Sequence, residues 1–345
     1  MKLYRLDTVP WLDSQLLYHA LPRLGREGLI LLSPGSPYVC IGYFQDAAQE
    51  VELERCHASG ISVFRREVGG GAVYLDGEQL FYQLVIHRDN PLVPAGWEPF
   101  YRHFLQAPIA AYQALGIPAE YKPVNDIVAN HRKVSGNGAS EIGDYLILVG
   151  NLIVDFDYEM MAQVLRVPDE KFRDKVYQTL QDNLSTVRRE IGSAPPREAL
   201  WDLLSAKFVD ILGPLEVITE VDDEWRAAAD ALAPTLLSDD WLHRRAGRPA
   251  DRKVTIRAGV EMRHKVHKAP GGLIRATAGV DEGVLTAVSL SGDFFFYPAE
   301  KLPELEAALV GTSIGDVEQA IAAFYARHEI SSPGVTPADL ARVLA

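Results

Sequence analysis

Residues 64–76 read FRREVGGGAVYLD, and this stretch decides how the first half of the chain is interpreted. Its flanks alternate like strands, which predicts ISVFRRE and AVYL joined by a glycine-rich turn. Three glycines leave backbone N–H groups uncovered, so an anion or a flat ligand can approach the main chain. Neighbours on a strand point to opposite faces, so we expect one of Arg65 and Arg66 at the surface and the other at the turn. Taken alone, the stretch fits a hairpin connection as well as a ligand site.

A second stretch, NDIVANHRKVSGNGAS at residues 125–140, supplies what the glycines lack. Asn125 and Asp126 begin one predicted strand and Lys133 begins the next after a short turn, so a hairpin would bring them together. The small residues after Lys133 form another segment that a ligand can approach. A lysine, a carboxylate and two exposed-backbone loops suit a nucleotide-activated carboxylate, since Mg²⁺ takes oxygen ligands and a lysine stabilises developing phosphate charge.

Composition and net charge narrow the classes of function that the chain can have. The chain has 345 residues, which suggests two domains, and its net charge of −13 argues against a broad nucleic-acid surface. The basic run RHKVHK at 263–268 is interpreted as one polar face of a strand. Cys40 and Cys56 without a CxxC motif fit a reducing cytosol. No apolar run is long enough for a membrane helix, and Asp7 and Asp13 argue against a signal peptide, so we expect a cytoplasmic protein.

Hydrophobic periodicity along the chain predicts an α+β fold, with helices packed on a mixed sheet. VPWLDSQLLYHALPRL predicts an opening helix, GLILLS and YVCIGYF two strands, and AQEVELERCHASG a short helix closed by Gly60. AVYL and QLFYQLVIH predict a hairpin around Asp76 and Gly77. One helix of about five turns then ends at Gly116, and three strands follow from residue 125. After a helical stretch, the last hundred residues predict strands, beginning with RKVTIRAG, and then three helices.

Four ordered motifs together resemble one known family. RREVGGGAVYLD resembles the arginine and triple-glycine signature of the lipoate-protein ligase branch of the biotin and lipoate ligase superfamily. NDIVANHRKVSGNGAS resembles its second signature, and SPYVCIGYFQD is similar to its early strand. GLIRATAGVDEGVLTAVSLSGDFFFYP is similar to the accessory domain of the two-domain ligases. The resemblance covers nearly the whole chain. It implies a catalytic domain related to class II aminoacyl-tRNA synthetases at residues 1–190, a helical connecting segment at 191–250 and a small α/β accessory domain at 251–345.

The resemblance also implies a reaction and a set of site residues. Lipoate, or octanoate, and ATP with Mg²⁺ give the acyl-adenylate, and a lysine of an apo lipoyl-domain protein then takes the acyl group. Implied acceptors are the E2 subunits of 2-oxoacid dehydrogenases and the glycine cleavage H protein, with neither nucleic acid nor membrane as a partner. Lys133 is the implied catalytic residue and Asp126 the implied metal ligand. The implied substrate and adenylate site is Arg66, Gly69, Gly70, Gly71, Ala72, Asn125, Asp126, Ser135 and Gly136.

Three departures from the family pattern bear on the substrate. Val68 stands where the family usually has Ser, Leu75 where it often has His, and Val149 precedes Gly150 where a His is usual. Three alternatives stay open: an octanoyltransferase of the same fold, which would need a nucleophilic thiol, a biotin ligase, and a non-catalytic acyl-binding protein. We expect the C-terminal segment to support adenylate formation and to move between the two half-reactions.

Overall fold

The computed structural model describes residues 1–167, 169–246 and 260–345, so the predicted strand RKVTIRAG at 252–259 lies outside the described residues. The strands are β1 Lys2–Val9, β2 Gly28–Pro34, β3 Tyr38–Ile41, β4 Ser62–Arg65, β5 Val73–Leu75, β6 Gln79–His87, β7 Glu120–Lys122, β8 Asp126–Ala129, β9 Arg132–Ser135, β10 Asn137–Ile142, β11 Tyr145–Ile153, β12 Glu216–Ile218, β13 Val260–Ala269, β14 Gly272–Asp281 and β15 Val284–Gly292. The helices are α1 Asp13–Ala20, α2 Ala47–Glu50, α3 Leu53–Ala58, α4 Trp97–Phe104, α5 Gln106–Ala114, α6 Tyr158–Val164, α7 Arg173–Asn183, α8 Val187–Ile191, α9 Arg197–Leu212, α10 Asp223–Leu236, α11 Asp239–Leu242, α12 Lys301–Leu309, α13 Val317–His328 and α14 Pro337–Leu344. The predicted α+β class is confirmed.

A six-stranded mixed sheet forms the centre of the molecule, in the order β10-β11-β6-β2-β1-β12. Strand β1 is parallel to β2 and β12, whereas β6 is antiparallel to both β2 and β11. Alternate residues of β6 point to opposite faces, as a strand requires. Leu80, Tyr82 and Leu84 join the core under α4, α5 and α9, while Phe81 and Val85 join the core under α1 and α10. Both faces of the sheet are therefore covered.

Two small sheets lie beside the main one, β4-β3-β5 and β7-β8-β9. The predicted hairpin of AVYL with QLFYQLVIH is wrong, because β5 pairs with β3 while β6 belongs to the main sheet. The Asp76 carboxylate does accept a hydrogen bond from the Glu78 N–H, so a turn forms at the expected place. It carries the chain from one sheet to another instead of closing a ladder.

Other elements also differ from the sequence-based expectation. The predicted five-turn helix is two helices, α4 and α5, because Pro108 has no N–H to donate to the Phe104 carbonyl. Four strands, β8 to β11, follow residue 125 in place of three. Strand β1 precedes the predicted opening helix, and β12 interrupts the stretch predicted to be helical. β1 and β12 pair with each other at the edge of the main sheet.

The C-terminal segment has its own sheet and core. Strands followed by three helices occur here as the sequence pattern predicts; β13, β14 and β15 form an antiparallel sheet, and α12 and α14 pack on it. Its core includes Ile274, Leu290 and Leu340, together with Phe44 from the N-terminal half. Thr336 and Asp339 form a reciprocal capping box that begins α14.

Helices α9 and α10, which precede the C-terminal sheet in the chain, also pack against the main sheet and its helices. Helix α9 buries Leu200, Trp201 and Leu204 in the core under α4 and α5, and Trp225 of α10 packs against Tyr4 of β1. The divisions at residues 190 and 250 stay a prediction, and we propose on these contacts that α9 to α10 stabilise the first domain. Among the described residues, no helix is both long and apolar enough to cross a membrane.

Candidate functional site

A cavity of about 400 Å³ lies between the α1 face of the main sheet, the two small sheets and the C-terminal segment. Both sequence stretches contribute to its wall, although residues 77–124 lie between them in the chain. Of the predicted site residues, those that line it are Arg66, Gly70, Gly71, Ala72, Asn125, Asp126, Lys133 and Gly136. Gly69 and Ser135 lie behind that wall instead. The geometry therefore brings the two stretches together at one site, and the roles of the individual residues remain predictions.

The two arginines are both buried, so the expectation that one lies at the surface is wrong. Arg65 donates hydrogen bonds to the carbonyl groups of Gly42, Tyr43, Trp241 and Leu242. Burial lowers the pKa of Arg65 to about 10, so the guanidinium remains charged at neutral pH. This side chain connects β4 to the loop after β3 and to α11, which is why its face of the strand is not exposed.

Arg66 shapes the glycine turn. Its guanidinium donates to the carbonyl oxygens of Gly69 at 2.7 Å, Gly71 at 2.9 Å and Cys40 at 3.3 Å. Five donors in a planar fork allow one arginine to satisfy several carbonyl groups at once. Arg66 therefore holds the turn in shape from inside, and most of its hydrogen-bonding capacity serves the protein itself.

A side chain would have a different effect at each of the three glycines of the turn. Gly70 has φ of +90°, a conformation that favours glycine. A Cβ on Gly69 would lie 2.9 Å from the Phe295 ring, so the C-terminal segment can approach only because that position has no side chain. A Cβ on Gly71 would meet nothing closer than Asp293 at 3.7 Å. The turn is thus a contact surface for the C-terminal segment as well as part of the cavity wall.

Lys133 lies at the more exposed end of the cavity. Asn130 and His131 both have positive φ and form the tight turn between β8 and β9, which places Lys133 near Asp126. The Lys133 Nζ lies 2.6 Å from Asp126 Oδ1, and both side chains are about one-third exposed. The predicted juxtaposition of a lysine and a carboxylate is therefore present, with the cation accessible to a ligand.

A polar network supports this end of the cavity from behind. Ser135 is fully buried, and its hydroxyl donates to the Asn151 carbonyl at 2.6 Å. The Asn151 Oδ1 accepts the Gly136 N–H at 2.8 Å. Asn125 and Asn137 exchange hydrogen bonds, each side-chain amide donating to the other residue's carbonyl. These contacts fix the β9–β10 connection, so Ser135 and Asn125 position the loop beside Lys133.

The opposite end of the cavity is buried and was not anticipated from the sequence. Gln15, Tyr18, Cys40 and Gln83 line it, and each is at most 4% exposed. They come from α1, β3 and β6, which are separate in sequence. In the sequence, the one sign of this buried polar end is Gln83, a polar residue inside the otherwise apolar strand LFYQLVI.

The three departures from the family pattern differ in their relation to this cavity. Val68 is fully buried in the core and would lie 2.8 Å from a Cβ on Gly138, so it fills space behind the wall. Leu75 and Val149 line the cavity and make its middle apolar. Of the three departures, Leu75 and Val149 therefore face the cavity and Val68 does not.

The C-terminal segment supplies the last part of the wall. Lys268, Gly271, Asp293 and Phe295 face the cavity, and the Lys268 Nζ lies 3.8 Å from Asp293 Oδ2. The sequence pattern predicts RHKVHK as a strand face only, because the packing that brings Lys268 to this cavity joins residues far apart in the chain. A second lysine thus faces the same space as Lys133.

Both thiols have environments that oppose ionisation. Burial raises the pKa of the Cys40 thiol, although the nearby Arg66 guanidinium acts in the opposite direction. Burial likewise raises the pKa of Cys56 to about 11. The thiolate is the reactive form of cysteine, so at neutral pH neither thiol is activated as a nucleophile. Within residues 1–167, 169–246 and 260–345, no group of three His, Cys, Asp or Glu side chains could hold a metal ion alone.

His19 in α1 gives a testable pH dependence of stability. Its Nδ1 must donate to the Gln15 carbonyl at 2.7 Å and its Nε2 accepts the Glu67 N–H at 3.1 Å, which requires the neutral ring. Burial lowers the pKa from 6.5 to about 4. The unfolded chain therefore binds this proton first, and the free energy of unfolding should fall as pH decreases from 6.5 toward 4, by about 2 kcal/mol at pH 5.

Urea unfolding at pH 7 and pH 5 measures this effect. His19→Gln, which does not titrate, should lose that part of the pH dependence, whereas substitution of the exposed His57 by Gln should retain it. An unchanged pH dependence in His19→Gln would show that another group is responsible.

The family model described as the lipoyl protein ligase A/B catalytic domain matches residues 11–209, more than half of the chain. The chain belongs to this family. Over 326 residues it is 24% identical to lipoate–protein ligase 1 of Staphylococcus aureus, covering 93% of both chains. Over 231 residues it is 26% identical to the octanoyltransferase LipM of Kyrpidia tusciae, covering 61% of this chain and 84% of that protein. The lipoyl ligase A/B family therefore includes relatives with two different named activities.

Solved structures support the same fold. The P. falciparum LipL1 in complex with lipoate superimposes with a TM-score of 0.66 at 16% identity and covers 94% of each chain. The bipartite lipoate protein ligase of Thermoplasma acidophilum gives 0.62 at 22% identity, covering 72% of this chain and 98% of that one. The mixed sheet with packed helices is thus the fold of this family, as the motif resemblance implied.

Proposed function

We propose that this chain is an ATP-dependent lipoate–protein ligase. It activates lipoate or octanoate as the acyl-adenylate and transfers the acyl group to a lysine of an apo lipoyl-domain protein. The observation that carries this proposal is the cavity itself. Lys133 is accessible at one end, and at the buried end the raised pKa of Cys40 favours the protonated thiol. The relatives named as lipoate–protein ligases, which align over most of the chain, support it.

The first half-reaction needs positioned charge and no protein nucleophile. The acid's carboxylate oxygen forms a bond to the α-phosphorus of ATP, and the bond to pyrophosphate breaks with its electron pair. Lys133 Nζ at the open end would stabilise the negative charge that develops on these oxygens. Its ion pair with Asp126 and the network behind Gly136 hold that amine in place before the substrates bind.

In the second half-reaction, the target lysine's amine forms a C–N bond to the acyl carbon. AMP leaves with the electron pair of the broken C–O bond, and the ammonium group that forms loses its proton. The acceptor reaches the acyl group from the open end, where Asn125, Asp126 and Lys133 are partly exposed. We propose E2 subunits or an H protein as the acceptors, and the cytoplasm as the site of the reaction.

The residues present fit Mg²⁺ bound mainly through phosphate oxygens. Among the described residues, Asp126 and Asp293 are the carboxylates that face the cavity, and Mg²⁺ in nucleotide sites commonly uses one or two carboxylates together with phosphates. When bound, the ion would neutralise phosphate charge. Asp126 also pairs with Lys133, so its part in metal binding remains a proposal.

The rival function is an ATP-independent octanoyltransferase, favoured by the relatives named LipM. Such a reaction passes the acyl group through a cysteine thioester. Cys40 lines the cavity and is the candidate thiol, but its raised pKa disfavours the thiolate. Cys56 does not face the cavity and its pKa is raised as well.

One experiment separates the two functions. The chain is incubated with lipoate, MgATP and an apo lipoyl domain, and the mass of the domain is followed. We expect a lipoyl adduct that requires ATP and that persists in the Cys40→Ala and Cys56→Ala variants, which serve as matched controls for each other. Transfer from an octanoyl thioester without ATP, lost on replacing Cys40, would overturn the ligase proposal in favour of the transferase.

A further inference from the structure

Gln83 has an unusual place for a glutamine. It lies in the middle of β6, between its strand partners Ile30 and Val149, and only 2% of it is exposed. Its neighbours on the same face, Phe81 and Val85, are core residues. Because Gln83 also lines the buried end of the cavity, together with Gln15 and Tyr18, its amide is one of the polar groups that a bound acyl chain would meet there.

The two atoms of this amide are in different situations. Nε2 donates to the Ser14 carbonyl at 2.6 Å. Oε1 is buried and has no hydrogen-bond partner among the described residues. The opposite orientation of the amide would place two acceptor oxygens against each other, so chemistry fixes Nε2 toward Ser14. A buried acceptor without a donor is destabilising, and because Gln83 lines the cavity, this oxygen points to a hydrogen-bond donor on a bound ligand.

No neighbouring polar group among the described residues donates a hydrogen bond to Gln83 Oε1. Gln15 Nε2 donates to the Tyr38 hydroxyl at 2.6 Å, and that hydroxyl lies 2.9 Å from Ser14 Oγ. Ser14 Oγ in turn donates to the Trp11 carbonyl at 2.6 Å. The Tyr18 hydroxyl donates to Gln15 Oε1 at 3.0 Å. The second N–H of Gln15 Nε2 makes no hydrogen bond to Gln83 Oε1 either, so a donor on a molecule bound in the cavity would satisfy this oxygen.

The strand geometry relates this oxygen to the reacting end. Val149 and Asn151 of β11 point to the same face and are two residues apart, about 7 Å along the strand. Val149 pairs with Gln83, whereas Asn151 holds Gly136 beside Lys133. An acid whose carboxylate lies near Lys133 thus directs the far half of its chain past Leu75 and Val149 toward Gln83.

We propose that this site selects medium-chain carboxylic acids that carry a hydrogen-bond donor in the distal half of the chain, with Gln83 Oε1 as the acceptor. The inference rests on the proposed function, which places an acyl chain in the cavity. Hydroxyl, amine and thiol groups supply such a donor, whereas the tail of octanoate does not. Reduced lipoate, with two S–H groups, is then preferred over the oxidised dithiolane. Sites that hydrogen-bond a substrate group discriminate strongly against an analogue that lacks it.

Binding measurements test this without requiring catalysis. The full chain is titrated calorimetrically with 8-hydroxyoctanoate and octanoate, and separately with reduced and oxidised lipoate. We expect the hydroxy acid to bind at least about tenfold more tightly than octanoate, about 1.4 kcal/mol. Gln83→Leu and Gln83→Met, two apolar side chains of similar length, should remove that preference and strengthen octanoate binding.

Val149→Ala is the matched control. It enlarges the same cavity without changing a polar group, so it should alter the affinity for both acids by a similar factor and leave their ratio unchanged. A wild-type ratio near one, or the same ratio in correctly folded Gln83→Leu and Gln83→Met, would overturn the inference. That result would leave the ligase proposal standing, since ligation is followed separately by ATP-dependent modification of the lipoyl domain.

Discussion

Lys133→Ala is expected to lower the rate of acyl-adenylate formation by about 10² to 10³. Removal of one preorganised group that stabilises transition-state charge typically has an effect of this size. Lys133 is partly exposed and makes its ion pair at the cavity mouth, so its loss should change the stability little. ATP–pyrophosphate exchange with lipoate measures the first step, and the mass of the apo lipoyl domain measures the whole reaction.

Lys122→Ala provides the control for this prediction. Lys122 is an exposed lysine on β7, the strand next to β8, and it lies outside the cavity wall. Its replacement removes the same charge from the same small sheet, so adenylation should remain close to wild type. Full activity of Lys133→Ala, or equal losses in both variants, would contradict the role assigned to Lys133.

Local sequence patterns predicted the parts of the site that short segments determine. The turn at Asn130 and His131 brings Lys133 to Asp126 within one hairpin, and the tight approach of Arg66 to Gly69 and Gly71 spans only five residues. Contacts of this kind depend on spacing that can be read directly from the chain. The proximity of Lys133 to Asp126 and the position of most of the glycine turn beside the cavity were therefore predictable from the sequence, whereas the roles of these residues stay predictions.

Long-range packing determines what the sequence did not reveal. The strand pattern of AVYL and QLFYQLVIH was recognised, but alternation says nothing about which sheet a strand joins, so β5 was paired with the wrong partner. In the sequence, Gln83 is only a polar residue within an apolar strand, and its hydrogen bond to Ser14 of α1 is visible only in the folded chain. Lys268 and Phe295 reach the cavity from more than 130 residues beyond Lys133. No periodicity connects such positions.

Phe295 connects the C-terminal segment to the glycine turn and gives the second large expected effect. Its ring is 3% exposed, lies against Gly69 and Gly70, and forms part of the cavity wall. Phe295→Ala should lower the free energy of unfolding by about 3–5 kcal/mol, the usual range for a buried phenylalanine. It should also lower adenylation by at least about tenfold, because the glycine turn loses the surface that holds it. Urea unfolding and ATP–pyrophosphate exchange measure the two effects.

The Phe296→Ala variant separates the loss of stability from the loss of adenylation. Phe296 is the next residue and is equally buried, but its ring points into the C-terminal core beside Phe44 and Tyr325 and does not line the cavity. A similar loss of stability is therefore expected, with adenylation largely retained under conditions where the variant is folded. Transfer from preformed lipoyl-AMP, assayed in both variants, shows whether the segment acts in the first half-reaction alone. If Phe295→Ala and Phe296→Ala lose adenylation to the same extent, the C-terminal segment only stabilises the fold, and the contact between Phe295 and the glycine turn has no catalytic part.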